Sequence, residues 1–219
     1  MKDPTLVVFC KRPKIGQGKQ RLAAEIGKDK AFEIAKFLLA CAFEDARNWK
    51  GPVILSPSDK DDIDWFRQYY GKKCTLLSQP LGNIGERIQW VDQELRNKGH
   101  NSLIYIGTDA PGLNSAYYQK ACKALRLAEV VLGPAEDGGV TIMGSNSIWP
   151  ALKKLPWSMD NLGISLLEHC LENGKTVEVL PQSSDVDLKS DLLKVKDYLV
   201  GDKRKERRRM LEWINSELG

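Results

Sequence analysis

The sequence has no apolar run approaching the roughly 18 residues that a membrane span needs. Its best candidate, residues 34–43, carries Lys36 and runs straight into Glu44 and Asp45. The start, Met1-Lys2-Asp3-Pro4, opens onto five apolar residues before Lys11, too few for a secretory signal. The expectation is a soluble, cytoplasmic chain with no membrane span. Histidine is scarce: His100 and His169 are the only two, so a histidine-rich metal centre is excluded. A Ser-His-Asp or Cys-His centre would have to use one of them, and both sit at ends of expected helices, where surface and capping roles prevail. The five cysteines (10, 41, 74, 122, 170) are odd in number, widely spread and lack a Cys-x-x-Cys pair. They read as small buried hydrophobes, not a disulfide framework or a zinc site.

Composition is that of a globular chain. Hydrophobic residues at 42% and charged residues at 28% exclude wholesale disorder and collagen-like repeats. The 219 residues suit one large domain, expected over 1–200, followed by a basic C-terminal helix over 201–219. Lys203, Arg204, Lys205, Arg207, Arg208 and Arg209, against Glu206 alone, contribute +5 of a net +4, leaving the rest slightly acidic. A nucleic-acid-binding domain spreads its charge over a face or groove. Here one segment holds the excess, so nucleic acid is not the expected partner and the tail reads as a solvated helix.

Short apolar runs alternate with helical patterns. Residues 6–10, 53–55, 75–77, 103–106, 130–132 and 177–180 read as strands, mostly continuous and so covered on both faces. Helices are expected near 29–47, 59–70, 83–98, 115–127 and 161–173, several ended by glycine (Gly71, Gly99, Gly174), and another begins near Lys189. Asp59, Asp61, Asp62 and Asp64 read as a helix start, not a metal cluster. Such alternation predicts a three-layer α/β domain around a largely parallel sheet, whose ligands bind outside the carboxyl ends of the strands.

The loops at those strand ends are therefore the places where a ligand is expected. After the first strand come Lys11, Arg12, Lys14, Gly16, Gly18, Lys19 and Arg21, in a strand-to-helix loop. Glycines let the backbone approach a ligand, and Lys and Arg neutralise phosphate. A Walker loop is rejected, since Pro13 stands at its first glycine and Gln20 where Ser or Thr belongs. A dinucleotide fingerprint fails at Arg21. The residues fit a phosphate loop and equally a solvated basic loop. After the fourth strand, Gly107-Thr108-Asp109-Ala110-Pro111 places a carboxylate where a hard divalent cation could be held; a capping aspartate is the alternative. Gly133-Pro134-Ala135-Glu136-Asp137-Gly138-Gly139 makes a turn open to close backbone approach. In Ser184-Asp185-Val186-Asp187-Leu188, an extended segment with Val186 turned away lets both carboxylates face one pocket, or either caps the next helix. Arg87, one turn into a helix after Gly82 and Gly85, reaches a phosphate or pairs at the surface. Cations and acids at one sheet edge are what nucleotide-diphosphate chemistry needs.

These residues also carry a resemblance. The segments Lys11-x-Pro13-x-x-Gly16-x-x-Lys19-x-Arg21-Leu22, Gly85-Glu86-Arg87, Gly107-x-Asp109-x-Pro111, Gly133 to Gly139, Trp157-Ser158 and Asp185-Val186-Asp187 occur in order from about Leu6 to Leu193. The chain resembles the bacterial glycosyltransferase-like family associated with radical-SAM proteins. That family is similar in turn to the guanylyltransferases of molybdenum-cofactor and deazaflavin-cofactor synthesis. The resemblance implies a GT-A nucleotide-diphospho-sugar transferase fold, nucleotide on the amino-terminal half, acceptor on the other, and a divalent metal near Asp109. Two positions depart from the family: Gln20 stands for its usual Thr, and Val140 for its usual aromatic.

The expectation is a metal-dependent transferase with a nucleotide-activated donor, foremost a glycosyltransferase using a nucleoside diphosphate sugar and a small-molecule acceptor. Nucleotidyl transfer from a nucleoside triphosphate and non-catalytic nucleotide binding are the alternatives. Lys11, Arg12, Gly16, Lys19, Arg21 and Arg87 are expected on the nucleotide, and Glu136, Gly138 and Gly139 on the acceptor. Asp109 and Asp137 are the expected catalytic carboxylates, and Asp109 and Asp187 the ligands of Mg2+ or Mn2+.

Overall fold

The computed structural model describes residues 3–71 and 74–218. Among these residues seven strands form one sheet: β1 (Thr5–Cys10), β2 (Val53–Pro57), β3 (Thr75–Leu76), β4 (Leu103–Ile106), β5 (Val130–Pro134), β6 (Val140–Ser145) and β7 (Val177–Val179). Their order is β3-β2-β1-β4-β6-β5-β7, with β6 antiparallel to β4 and β5 and every other pair parallel. The helices are α1 (Gln20–Ile26), α2 (Lys28–Asn48), α3 (Ile63–Tyr70), α4 (Ile84–Asn97), α5 (Ser115–Ala124), α6 (Leu162–Glu172), α7 (Lys189–Leu199) and α8 (Lys205–Leu218).

Successive side chains of a strand point to opposite faces, and β1 divides its apolar run accordingly. Leu6 and Val8 join Phe43 of α2, Phe66 of α3 and Tyr118 of α5 on one face. Val7 joins Ile88 and Val91 of α4 and Leu166 of α6 on the other. The result is the three-layer α/β arrangement expected from the alternation of elements. Among the described residues no helix is long and apolar enough to cross a membrane. The apolar stretch at 34–43 has a different origin. α2 is covered on two sides: Leu39 and Phe43 face the sheet, whereas Ile34, Leu38 and Cys41 pack against Val195 of α7 and Met210 and Ile214 of α8. A helix apolar around most of its circumference is a buried helix.

Two elements depart from the sequence expectation. β6 is a strand not foreseen, because Val140-Thr141-Ile142-Met143-Gly144-Ser145 has only a short apolar centre, broken by Gly144. It pairs back onto β5 through a turn at Gly138, whose φ of 88° and close approach to the Asp160 carbonyl oxygen leave no room for a side chain. α1 begins at Gln20, inside the stretch that reads as loop. The histidines are structural: His100 Nδ1 lies 2.8 Å from Thr5 Oγ1, and His169 Nε2 lies 2.9 Å from Ala151 O. All five cysteines are free, and burial pushes the Cys41 thiol up to about 12, which removes it as a nucleophile.

The basic tail is not a solvated helix throughout. Arg207 is fully buried, its guanidinium donating to Asp45 Oδ2 at 2.6 Å, Glu44 Oε2 at 3.1 Å, Cys41 O at 2.5 Å and Pro111 O at 3.1 Å. Arg204 donates to Asp45 Oδ1 at 2.9 Å and Leu113 O at 2.6 Å. Burial works against both cations, yet Asp202 and Asp45 around Arg204, and Asp45 beside Arg207, hold their pKa values above the ordinary one. Two of the six cations in what looked like a free charge run are therefore paired internally. Removing one partner strands the others: Arg207→Met is expected to cost about 3–5 kcal/mol in urea unfolding, with Asp45→Asn in the same chain recovering part of it. A cost under about 1 kcal/mol, the range of exposed pairs, would show that this network is effectively in water.

Candidate functional site

The carboxyl ends of the parallel strands open onto a cleft of about 470 Å³. One wall comes from the amino-terminal half: Lys11 after β1, Ser58 after β2, Gln79 after β3 and Arg87 on α4. The other comes from Asp109 after β4, Asp137 and Gly139 in the β5–β6 turn, and Asp185, with Val140, Trp157 and Leu162 forming an apolar flank.

The chain from 180 to 187 explains how distant acids meet. It continues alongside β5, with Leu180 N donating to Leu132 O at 2.8 Å and Ser183 N to Pro134 O at 3.0 Å. It then crosses to the β4 loop, where Val186 N donates to Asp109 O at 2.9 Å. Val186 is fully buried, anchored in the core shared by α2 and α7. Because this stretch is extended, burying Val186 turns Asp185 and Asp187 the other way, as the alternation suggested. One oxygen each from Asp137, Asp185 and Asp187 lie within 4.8 Å of one another. Asp109 is joined to this group through Lys19, whose Nζ is 2.8 Å from both Asp109 Oδ1 and Asp187 Oδ1. The Lys19 side chain is only 11% exposed. Burial alone would lower its pKa, but Asp109 and Asp187 outweigh that and raise it, so the ammonium stays charged.

The remaining candidates divide. Lys11, Arg87 and Gly139 line the cleft. Arg87 Nε donates to Gly82 O at 2.7 Å, which leaves its terminal nitrogens for a ligand. Gly16 shapes the loop, at φ 74°, and its carbonyl accepts from Gln20 Nε2 at 2.8 Å. Arg21 is exposed on the first turn of α1, outside the residues that line the cleft. Arg12 is not brought in: it lies 3.3 Å from the buried Asp62 and stacks over Trp65, while Lys14 is 3.2 Å from the same carboxylate. Asp62, read from sequence only as a helix-start acid, is the counter-charge that draws these two cations away. Glu136 also points elsewhere, accepting from Ser184 Oγ at 2.7 Å and Lys194 Nζ at 2.8 Å, and Gly138 serves the turn. Sequence reasoning pointed Asp185 at a pocket without giving it a role, and missed Ser58 and Gln79 along the cleft. For Asp185 the alternation with Asp187 was the signal; Ser58 and Gln79 had only their positions after strands.

A close-set carboxylate group suits a hard divalent cation, which takes oxygen ligands. Burial, then Asp137, Asp187 and Asp109, push the Asp185 carboxyl from 3.8 up to about 6. The folded protein thus keeps this proton to higher pH than the unfolded chain. Stability without metal therefore falls as pH rises from about 4 to about 6, and is level above. Asp185→Asn is expected to remove that slope and raise Tm at pH 7.5 by about 2–4 °C, corresponding to about 1 kcal/mol of relieved repulsion. Thermal unfolding with a chelator present reads this directly; an unchanged Tm would mean Lys19 already neutralises the group.

Comparison with solved structures places this geometry in a known fold. The chain superimposes over its full length on 97% of a protein of Desulfovibrio desulfuricans G20 named "putative nucleotide-diphospho-sugar transferase", with TM-score 0.90 and 21% identity. A CMP:2-keto-3-deoxy-manno-octonic acid synthetase complexed with CTP matches 92% of the chain and 100% of its own, at TM-score 0.56 and 12% identity. Rv0371c of Mycobacterium tuberculosis H37Rv, in complex with manganese, matches 88% of the chain and 97% of its own, at TM-score 0.55 and 13% identity. At these identities the likeness establishes the fold, a mostly parallel α/β sheet of the GT-A and nucleotidyltransferase type. No curated protein matches by sequence. Residues 39–159, more than half of the chain, match the family described as "Uncharacterized protein conserved in bacteria" (DUF2064), and the chain belongs to that family.

Proposed function

We propose that the protein is a metal-dependent transferase acting on a nucleotide-activated donor, foremost a nucleoside diphosphate sugar. The observation that carries this reading is the meeting of Lys19 with Asp109 and Asp187 beside Asp137 and Asp185, at the carboxyl edge of the sheet. Ligands of open α/β sheets bind at that edge. Lys11 and Arg87 neutralise donor phosphates from the amino-terminal wall, and Gln79 and Ser58 border the space left for the base. Asp137, Asp185 and Asp187 hold Mg2+ or Mn2+, with Asp109 across Lys19 from them. When bound, such a cation stabilises the charge that develops on the departing phosphate oxygens. Asp137, whose Oδ1 accepts from Gly139 N at 2.9 Å, faces the acceptor flank and takes up the acceptor's proton. Val140, Trp157 and Leu162 exclude water from that side.

Nucleotidyl transfer is the second reading, favoured by the fold shared with a CTP-bound synthetase and by the resemblance to guanylyltransferases. Both chemistries need the same phosphate clamp, and they differ in the bond broken. Incubation with nucleoside triphosphates or nucleotide sugars, an acceptor panel and Mn2+ separates them. Nucleoside diphosphate release marks glycosyl transfer, and pyrophosphate release marks nucleotidyl transfer. In either case Asp185→Asn and Asp187→Asn are expected to lower kcat by about 10²–10³-fold, the scale of losing one electrostatic stabiliser. Glu136→Gln, whose partners are Ser184 and Lys194, should leave kcat within about twofold of the parent enzyme, since surface changes of this kind are nearly neutral. Turnover by the aspartate variants equal to that of the parent enzyme would remove the acidic group from the chemistry.

A further inference from the structure

Lys19 is bound more tightly than a phosphate-seeking lysine at a loop tip needs to be. Its ammonium has three hydrogens, and three oxygens surround it: Asp109 Oδ1 and Asp187 Oδ1 at 2.8 Å each, and Val186 O at 2.5 Å. Its donor capacity is spent within the protein. Asp187 belongs at the same time to the carboxylate group with Asp137 and Asp185. A divalent cation entering that group meets a positive charge already seated on one of its ligands. Repulsion between two cations sharing a carboxylate is strong where water is partly excluded.

The loop is built so that this seat can be vacated. Gly16 and Gly18 lie at φ 74° and 73°, and Lys19 itself at φ 46°, in the left-handed region that disfavours a side chain. Lys19 stands at the start of α1 without a side-chain capping bond. Lys19 O accepts from Ala23 N at 2.8 Å and Gly16 O from Gln20 Nε2 at 2.8 Å, so local bonds hold the backbone while the ion pairs hold the end of the side chain. An incoming phosphate offers Lys19 charge-assisted hydrogen bonds in exchange for them.

Resting on the transferase reading, we infer that Lys19 is a resident counter-cation of the acidic centre, so that the site takes up a divalent cation jointly with a diphosphate-bearing ligand and resists the cation alone. In the free protein Lys19 screens Asp109 and Asp187. When metal and diphosphate arrive together, the phosphate oxygens receive the ammonium, and Asp187 is freed to join Asp137 and Asp185 in holding the metal. The true ligand is then the metal–diphosphate complex. Each component raises the affinity for the other by the same factor, as linkage requires.

Calorimetric titration with MnCl2, alone and with inorganic pyrophosphate, tests this on the full chain, using Lys19→Gln and Lys19→Arg. Lys19→Gln is expected to bind Mn2+ alone about tenfold more tightly than the parent protein, within the usual span of coupling between sites, and to lose the gain that pyrophosphate confers. Lys19→Arg keeps the charge and should bind Mn2+ alone as weakly as the parent. Thermal unfolding with a chelator verifies that both variants fold. If Lys19→Gln does not fold, the parent protein decides: Mn2+ must raise its affinity for pyrophosphate about tenfold, and independent binding of the two overturns the inference. Equal Mn2+ affinity in parent and Lys19→Gln also overturns it, while leaving the metal-dependent transferase reading in place. Absence of Mn2+ binding in every protein, with and without pyrophosphate, overturns both.

Discussion

Four carboxylates from three separate parts of the chain cannot share one sheet edge without a counter-charge. Asp109 follows β4, Asp137 sits in the β5–β6 turn, and Asp185 and Asp187 lie on the crossing segment before α7. Burial, and then repulsion from Asp137, Asp187 and Asp109, pushes the Asp185 carboxyl up to about 6 even with Lys19 in place. The Lys19 ammonium, 2.8 Å from two of these acids, is what lets the edge close as a single site. It also ties the loop after β1 to the segment after β7, bringing the two halves of the cleft together across the sheet. An arrangement so dependent on one internal cation is poised for a ligand that carries its own charge balance.

The rest of the molecule holds this edge in place by burial and by internal ion pairing. Val186 is buried between the carboxylates it separates, so rotating either acid out of the site would expose an anchored apolar side chain. α2 lies beneath, covered by the sheet on one side and by α7 and α8 on the other. Asp45 on that helix accepts from Arg204, Arg207 and Tyr118 at 2.6–3.0 Å, a fully partnered buried carboxylate. Such a network contributes little net stability compared with an apolar replacement, but it fixes geometry because any partial rearrangement leaves a charge unpaired.

Legibility in the sequence tracks the range of the interactions involved. β1 was legible because Leu6 to Cys10 form an unbroken apolar run between polar residues, and the end of α4 because Gly99 follows it. The Asp185-Val186-Asp187 alternation was legible because the periodicity of an extended strand is local. β6 was not, since Gly144 breaks its short apolar run and one of its two partners, β4, lies more than thirty residues away in sequence. Arg12 was placed with the phosphate cations because its counter-charge, Asp62, is fifty residues downstream and looks locally like a helix-start acid. Arg207 was assigned to a solvated run for the same reason: the pocket that receives it is built from α2 and the Pro111 carbonyl. Charge is readable in a sequence, but its partner is not.

This bears on where the site resides in the chain. The family match spans residues 39–159 and includes Asp109, Asp137, Arg87 and Gln79. Lys19 precedes that span, and Asp185 and Asp187 come after it. So do Arg204 and Arg207, which donate to the carbonyls of Leu113 and Pro111 and so brace the loop that begins with Asp109. The matched segment therefore supplies five of the seven strands and residues of both walls, while β1, β7, the counter-cation, two of the three clustered acids and the brace come from the flanks. Substitutions in α8 can reach the acidic centre through the Pro111 and Leu113 carbonyls and through the core that Met210 and Ile214 share with Val186. The acidic centre accordingly draws on residues from both sides of the matched segment.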